Sequence, residues 1–224
     1  PEAQNKLNSM ATLVDIVRTD VCAFLESNNE LLFNERDFQM HLATWLRDSA
    51  NGYDDVDVEY YVPSQALENY IWKSELRLDI VVKKDGEYCP IELKYKTKKV
   101  ERPITRFDET LKGNVVVMKN QGAQDLGMYD FWKDVRRVEL VRNRFERVKG
   151  GLAVYIKGSK EASNNYLLNM TEGEHSPIKH WKNEQSVCAK MKAYQSFEVE
   201  KAYTIAWNQK TVDGEPFYYC ILSI

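Results

Sequence analysis

Asp79, Glu92 and Lys94 stand in two stretches of alternating character, Glu75 to Lys84 and Glu87 to Lys96, with Asp85-Gly86 between them. Asp-Gly between alternating runs signals a two-residue hairpin turn. With that turn Lys84 faces Glu87. The same register sets Asp79 opposite Glu92, Arg77 opposite Lys94 and Val81 opposite Pro90. Side chains alternate along a strand. Leu78, Ile80 and Val82 are therefore predicted to share an apolar face with Leu93, Ile91 and Cys89, and Arg77, Asp79, Glu92 and Lys94 to share the other. Asp79 and Glu92 fall on a non-hydrogen-bonded rung, where opposed Cα atoms are about 4.5 Å apart. Val81 and Pro90 fall on another, which suits a residue without an N–H.

Two carboxylates face to face destabilise a sheet unless something offsets them. A divalent cation is one such partner. Mg²⁺ (or Mn²⁺) favours carboxylate oxygens and keeps positions for water and phosphate. Lys94 on the same face could then neutralise the pair, orient a water or stabilise charge on a phosphate. The competing arrangement is a charge ladder. Arg77 would pair diagonally with Glu92 and Lys94 with Asp79, giving a solvated face with no chemistry. Spacing alone supports both arrangements. Val81, Ile91 and Leu93, with a neighbouring strand, imply a central sheet rather than an exposed ribbon, which favours the metal site.

The rest of the chain must position this hairpin. Leu7, Met10, Leu13, Val14, Val17, Val21 and Phe24 predict an amphipathic helix over roughly Lys6 to Glu26, ending at Asn28-Asn29. A second helix is expected from an Asn34 N-cap, with Glu35 and Asp37 in its first turn and Phe38, Leu42, Trp45 and Leu46 in one stripe, up to the break at Asn51-Gly52. Val56 to Val62 reads as a strand before the hairpin. Lys98 to Gly122 is irregular and contains the apolar run Val115 to Met118. A long helix, roughly Ala123 to Val148, ends at Gly150-Gly151, and Leu152 to Ile156 is a further strand. The segment from Gly158 to Ser196 is polar and carries no motif. Ala202 to Trp207 and Phe217 to Ile224 are expected to form a last strand pair, turning near Asp213-Gly214. This order predicts an α/β fold with a mixed sheet, as one domain over 1–224. Its core is 34–156, with 157–224 as a C-terminal β extension packed on it.

The runs Arg77-Leu-Asp79-Ile-Val-Val and Pro90-Ile-Glu92-Leu-Lys94-Tyr-Lys96 resemble the PD-(D/E)XK nuclease superfamily, over about Asn34 to Ile156. The resemblance implies a restriction-endonuclease-like core of helix, three-strand meander, helix and strand. It implies a metal held by Asp79, Glu92 and the main-chain carbonyl of Leu93, and Lys94 activating or positioning the attacking water. It also implies a further acidic residue on the preceding helix, matched by Glu35; the plainer role of Glu35 is a carboxylate favoured by the helix dipole. From the later helix it implies a polar residue facing the site, matched by Gln124, whose plainer role is a helix cap or surface amide. Arg137 either pairs with Asp134 or contacts phosphate. Lys96 and Lys98 continue from the Glu-Leu-Lys strand toward a nucleic-acid backbone. Leu78 stands where the family name has proline, a departure that many members share.

The implied activity is metal-dependent hydrolysis of phosphodiester bonds, of DNA first. The alternatives are a non-catalytic nucleic-acid-binding or interaction module with the same fold, and a protein whose hairpin carries only the ladder. A net charge of −3 excludes binding to nucleic acid by bulk attraction and requires a local basic patch. Hydrophobic residues at 43% and charged residues at 29% fit a globular core. Cys22, Cys89, Cys188 and Cys220 form no CxxC pair and only three histidines exist, which argues against structural zinc and for free thiols in the cytoplasm. No window is apolar for 18 residues. The oligomeric state is open, with a homodimer among the options.

Overall fold

The computed structural model describes residues 11–121, 124–158, 170–175 and 194–224, with the backbone alone at 124–125. The expectations for Leu7, Met10, Ala123, Cys188 and most of 158–196 lie outside the described residues. Helix α1 is Leu13–Ser27. The Thr12 hydroxyl accepts from the Asp15 N–H at 3.2 Å and the Asp15 carboxylate accepts from the Thr12 N–H at 3.1 Å, a reciprocal cap. Helix α2 is Glu35–Arg47, capped by the Asn34 side chain on the Asp37 N–H. It ends before Asn51-Gly52, and the chain beyond it is drawn onto Asp20 of α1, which accepts from Ser49, Asn51 and Tyr53.

Strands β1 (Asp55–Val62), β2 (Leu76–Lys84) and β3 (Glu87–Lys96) follow. The turn residues Asp85 and Gly86 have φ of 50° and 79°, the left-handed pair that a tight hairpin demands. Between Lys96 and the next helix lie β4 (Val100–Arg102), β5 (Thr105–Arg106), β6 (Glu109–Thr110) and β7 (Val115–Met118), paired as β4–β7 and β5–β6. Helix α3 (Gln124–Arg144) leads to β8 (Leu152–Lys157). The chain closes with β9 (Gly173–His175), β10 (Tyr203–Ile205), β11 (Asn208–Val212) and β12 (Glu215–Ser223).

The main sheet has six strands in the order β1-β2-β3-β8-β12-β11. Only β3 and β8 run parallel, joined through α3. The chain is thus α/β with a mixed sheet. The last strands correct an expectation. Phe217–Ile224 does not pair with Ala202–Trp207. β12 pairs with β11 across the Asp213-Gly214 turn and with β8 on its other side, so these two strands complete the central sheet. Tyr203–Ile205 pairs with β9. β8 is buried at every residue, so its free edge needs a partner strand. β11, Asn-Gln-Lys-Thr-Val, is a mostly exposed outer strand whose polar residues give no apolar alternation.

α1 and α2 cover one face, over Ile80, Val82, Ile91, Leu93, Val154 and Ile156. α3 covers the other, over Ala153, Tyr155 and Cys220. Leu78 overturns its predicted face. It packs with Leu76, Val81, Leu140 and Val141 on the α3 side. Val56 and Val62 of β1 divide between the faces in the same way, so both strands change face around Glu59 and Asp79.

The β3–β8 contact depends on a glycine. A Cβ at Gly151 would stand 2.6 Å from the Pro90 carbonyl and 2.6 Å from Val138 Cγ1. Gly151→Ala is expected to cost roughly 1–3 kcal/mol, the usual penalty of overpacking, measured by urea unfolding. An unchanged midpoint would show that β8 can move away from β3.

Candidate functional site

The hairpin register is as expected from Lys84–Glu87 to Ile80–Ile91, and there the ladder stops. The β1–β2 ladder loses its Glu59–Asp79 rung at the same level, where Glu59 has φ 53°. Asp79 and Glu92 are therefore not a flat facing rung, which corrects that expectation. They clasp each other's backbone instead. Asp79 Oδ2 accepts from the Leu93 N–H at 2.6 Å, and Glu92 Oε2 accepts from the Asp79 N–H at 3.2 Å. The Asp79 carbonyl accepts from Gln39 Nε2 of α2 at 2.7 Å, and the same amide donates to Glu59 Oε1 at 3.0 Å. Buried main-chain groups must find partners, and where the ladders open these side chains supply them.

The cations of the site are committed elsewhere. Lys94 Nζ lies 3.6 Å from Glu35 Oε2 and 3.6 Å from Asp134 Oδ2. Arg137 is 3.4 Å from Asp134 and donates to the Tyr70 hydroxyl at 3.1 Å and to Ser74 at 3.0 Å. Arg77 lies over the Tyr61 ring at 5.2 Å. Among the described residues neither Asp79 nor Glu92 is in an ion pair, so the diagonals of the charge ladder are not formed. Glu92 is 3% exposed, and its Oε1 has no hydrogen-bond partner.

This arrangement shifts the acids upward. Burial is the first cause at Asp79, helped by the charges of Asp134 and Glu35 and opposed by the Leu93 N–H, and its pKa rises to about 7. Burial and the charges of Asp134 and Asp79 push Glu92 well above the usual range. Burial also raises Asp134, against the pull of Lys94 and Arg137. Burial alone would discharge Lys94, but Asp134, Glu35, Asp130 and Asp79 outweigh it and hold the ammonium firmly protonated. Lys94 is a fixed cation and a proton donor to hydrogen bonds, not a base.

Glu35 joins this group. Its Oε2 accepts from the Tyr95 N–H at 2.9 Å as well as facing Lys94. Leu93 is held by its N–H. Glu35, Lys94, Lys96, Gln121 and Asp130 line an open cleft of about 460 Å³. The stem of Lys96 crosses α3 at Gly127, where a Cβ would collide with its Cε. Lys98 is exposed beyond the strand end. Arg137 is turned inward, beside the acids. The Gln124 side chain lies outside the described residues. Three contributors escaped the sequence reading. Gln39 sits one turn after Glu35 on the same face of α2, a spacing that could have revealed it. Asp134 stands one turn before Arg137, where i,i+3 pairing drew attention to the pair and not to Lys94. Gln121 exchanges hydrogen bonds with Thr97, and only the tertiary fold brings it there. A hollow of about 1040 Å³ beside Phe24, Met40 and Trp45 is lined by none of these groups.

Comparisons with protein-family models, with curated proteins and with solved structures give no match. No helix among the described residues is long and apolar enough to cross a membrane. Among those residues no three His, Cys, Asp or Glu side chains converge as a finished ligand set; Asp79 and Glu92 each turn one oxygen to a main-chain N–H. The donor chemistry still fits a hard divalent cation: carboxylate oxygens, one of them buried without a partner.

Asp79 carries a pH signature. Its folded-state pKa lies above its ordinary value of 3.8, so its stabilising contribution is complete below about pH 4 and is lost as pH rises through about 7. The metal-free protein should melt lower at pH 8 than at pH 5. Asp79→Asn, which can still accept from Leu93, should raise the Tm by about 3–6 °C at pH 8 and by clearly less at pH 5, where only the first part of the loss has accrued. An equal loss at both pH values would contradict the assignment.

Proposed function

We propose that this chain is a divalent-metal-dependent nuclease that hydrolyses phosphodiester bonds, of DNA foremost, with the PD-(D/E)XK arrangement that its hairpin resembles. The observation that carries the reading is the unpartnered, buried Glu92 Oε1 beside an Asp79 that forms no ion pair among the described residues. An isolated buried carboxylate is costly, and two are explained together by a cation that both can reach. Asp79, Glu92 and the main-chain carbonyl of Leu93 would hold Mg²⁺ or Mn²⁺. A metal so held supplies a water of lowered pKa and a polarised phosphoryl oxygen.

The chain's own groups do the rest. Lys94, fixed between Glu35 and Asp134, donates to the attacking water or to a phosphoryl oxygen as negative charge grows there. Glu35 orients Lys94 from the open side and Asp134 from the buried side. Arg137 limits the mutual repulsion of Asp134 and Glu92. Lys96 and Lys98 extend from the same strand toward the phosphate backbone. The free thiols of Cys22, Cys89 and Cys220 suit a reducing compartment, and we place the chain in the cytoplasm.

Linear DNA, circular DNA and RNA should be incubated with the protein in Mg²⁺, Mn²⁺ or EDTA. Cleavage is expected with metal and not with EDTA. Lys94→Ala should lower the rate by about 10²–10³ while calorimetry shows metal affinity unchanged. Glu92→Gln should lose both metal binding and cleavage. Absence of metal binding and of cleavage by the unaltered protein would overturn the reading.

A further inference from the structure

We infer that the groove between β1 and the C-terminal end of α3 is a docking site for single-stranded nucleic acid, holding unpaired bases against tyrosine rings. This rests on the nuclease reading of the adjoining site and gives that site its substrate class. The groove encloses about 720 Å³, within the range of sites that take a small ligand or a few of its units. Tyr60, Tyr61, Tyr88 and Phe145 line it, with Arg144 and Arg147. Its floor includes Leu78 and Val81, the residues that bracket Asp79 in β2.

Four features favour this occupant. First, Tyr60 and Tyr61 are neighbours in one strand, yet they are 38% and 44% exposed and both line the groove. Alternation would send neighbours to opposite faces. The left-handed Glu59 and the position of β1 at the sheet edge leave both rings available. Second, Arg144 of the lining lies 5.2 Å from the Phe145 centroid, and Arg77 and Lys83, outside the lining, reach Tyr61 at 5.2 Å and Tyr88 at 5.7 Å. Aromatic faces interleaved with arginine and lysine match alternating bases and phosphates. Third, the arginines of α3 and of the turn that follows it divide by location. Arg136, Arg137 and Arg142 are ion-paired. Arg144 and Arg147 form no ion pair among the described residues, and both are exposed at the groove. Glu146 is the one acid in the lining, so the groove is locally basic in a chain of net charge −3. Fourth, stacking needs bases out of a duplex, and exposed ring faces offer nothing to a paired helix.

Binding is measured apart from cleavage. Dye-labelled oligothymidylate and a duplex of equal length are titrated with the full chain in EDTA, at low and raised salt, by fluorescence anisotropy. The single strand should bind more tightly than the duplex. Replacing both Tyr60 and Tyr61 with Ala should weaken single-strand binding about tenfold or more, and replacing both with Phe should restore it. Arg144→Gln and Arg147→Gln should each reduce the slope of log affinity against log salt by about 0.7. No binding, equal preference for the duplex, or alanine variants that bind normally would overturn the inference. Self-association of the chain that is abolished by the same alanine variants would assign the groove to a second copy and overturn it as well. Metal-dependent cleavage indifferent to the tyrosines would sink the groove alone. Tyrosine-dependent binding without any cleavage would sink the nuclease reading alone.

Discussion

The sheet opens at one level, and the site exists because of it. Two ladders lose their rungs beside Asp79, one toward Glu59 and one toward Glu92. Main-chain groups in a sheet covered on both faces cannot turn to water, so side chains must complete them. Gln39, Glu92 and Asp79 do so. The carboxylates are brought into the sheet by the hydrogen bonds they make there, and their burial follows from that work.

Electrostatics follows from this opening. Asp79, Glu92, Asp134, Glu35 and Asp130 influence one another at close range, against Lys94 and Arg137. Both cations are held by Asp134, and Lys94 also by Glu35. The acids of the hairpin are therefore only partly compensated, and burial drives them toward their protonated forms. A divalent ion held there, as proposed, would displace those protons and relieve the repulsion together. Two surfaces flank this region: the open cleft near Lys94 is polar, while the groove beyond Leu78 is lined by aromatic rings and two arginines.

Much of this was legible in local patterns. Asn34, Asp85-Gly86 and the alternation of β3 announce their own geometry, so the second helix and the hairpin register as far as Ile80–Ile91 could be read directly, while the opening of the ladder at Asp79 and Glu92 could not. Glu35 could be placed by its position at a helix start. The change of face at Leu78 could not, because it arises from a left-handed Glu59 in another strand. Asn208–Val212 escaped because a polar outer strand has no apolar rhythm. Asp134 and Gln39 reach the site from the inward faces of two helices, and their roles depend on how those helices sit on the sheet. Arg137 showed its i,i+3 partner in the sequence, but its inward turn is a product of Tyr70 and Ser74 in the loop before β2.

The central claim is that the opening at Asp79 and Glu92 is a seat for one divalent ion. Anomalous diffraction from crystals soaked in Mn²⁺ tests it most directly. The account predicts a single strong peak bridging a carboxylate oxygen of Asp79 and Oε1 of Glu92, next to the carbonyl of Leu93. Crystals that take up manganese elsewhere, with both carboxylates still closed on the N–H groups of Leu93 and Asp79, would contradict it.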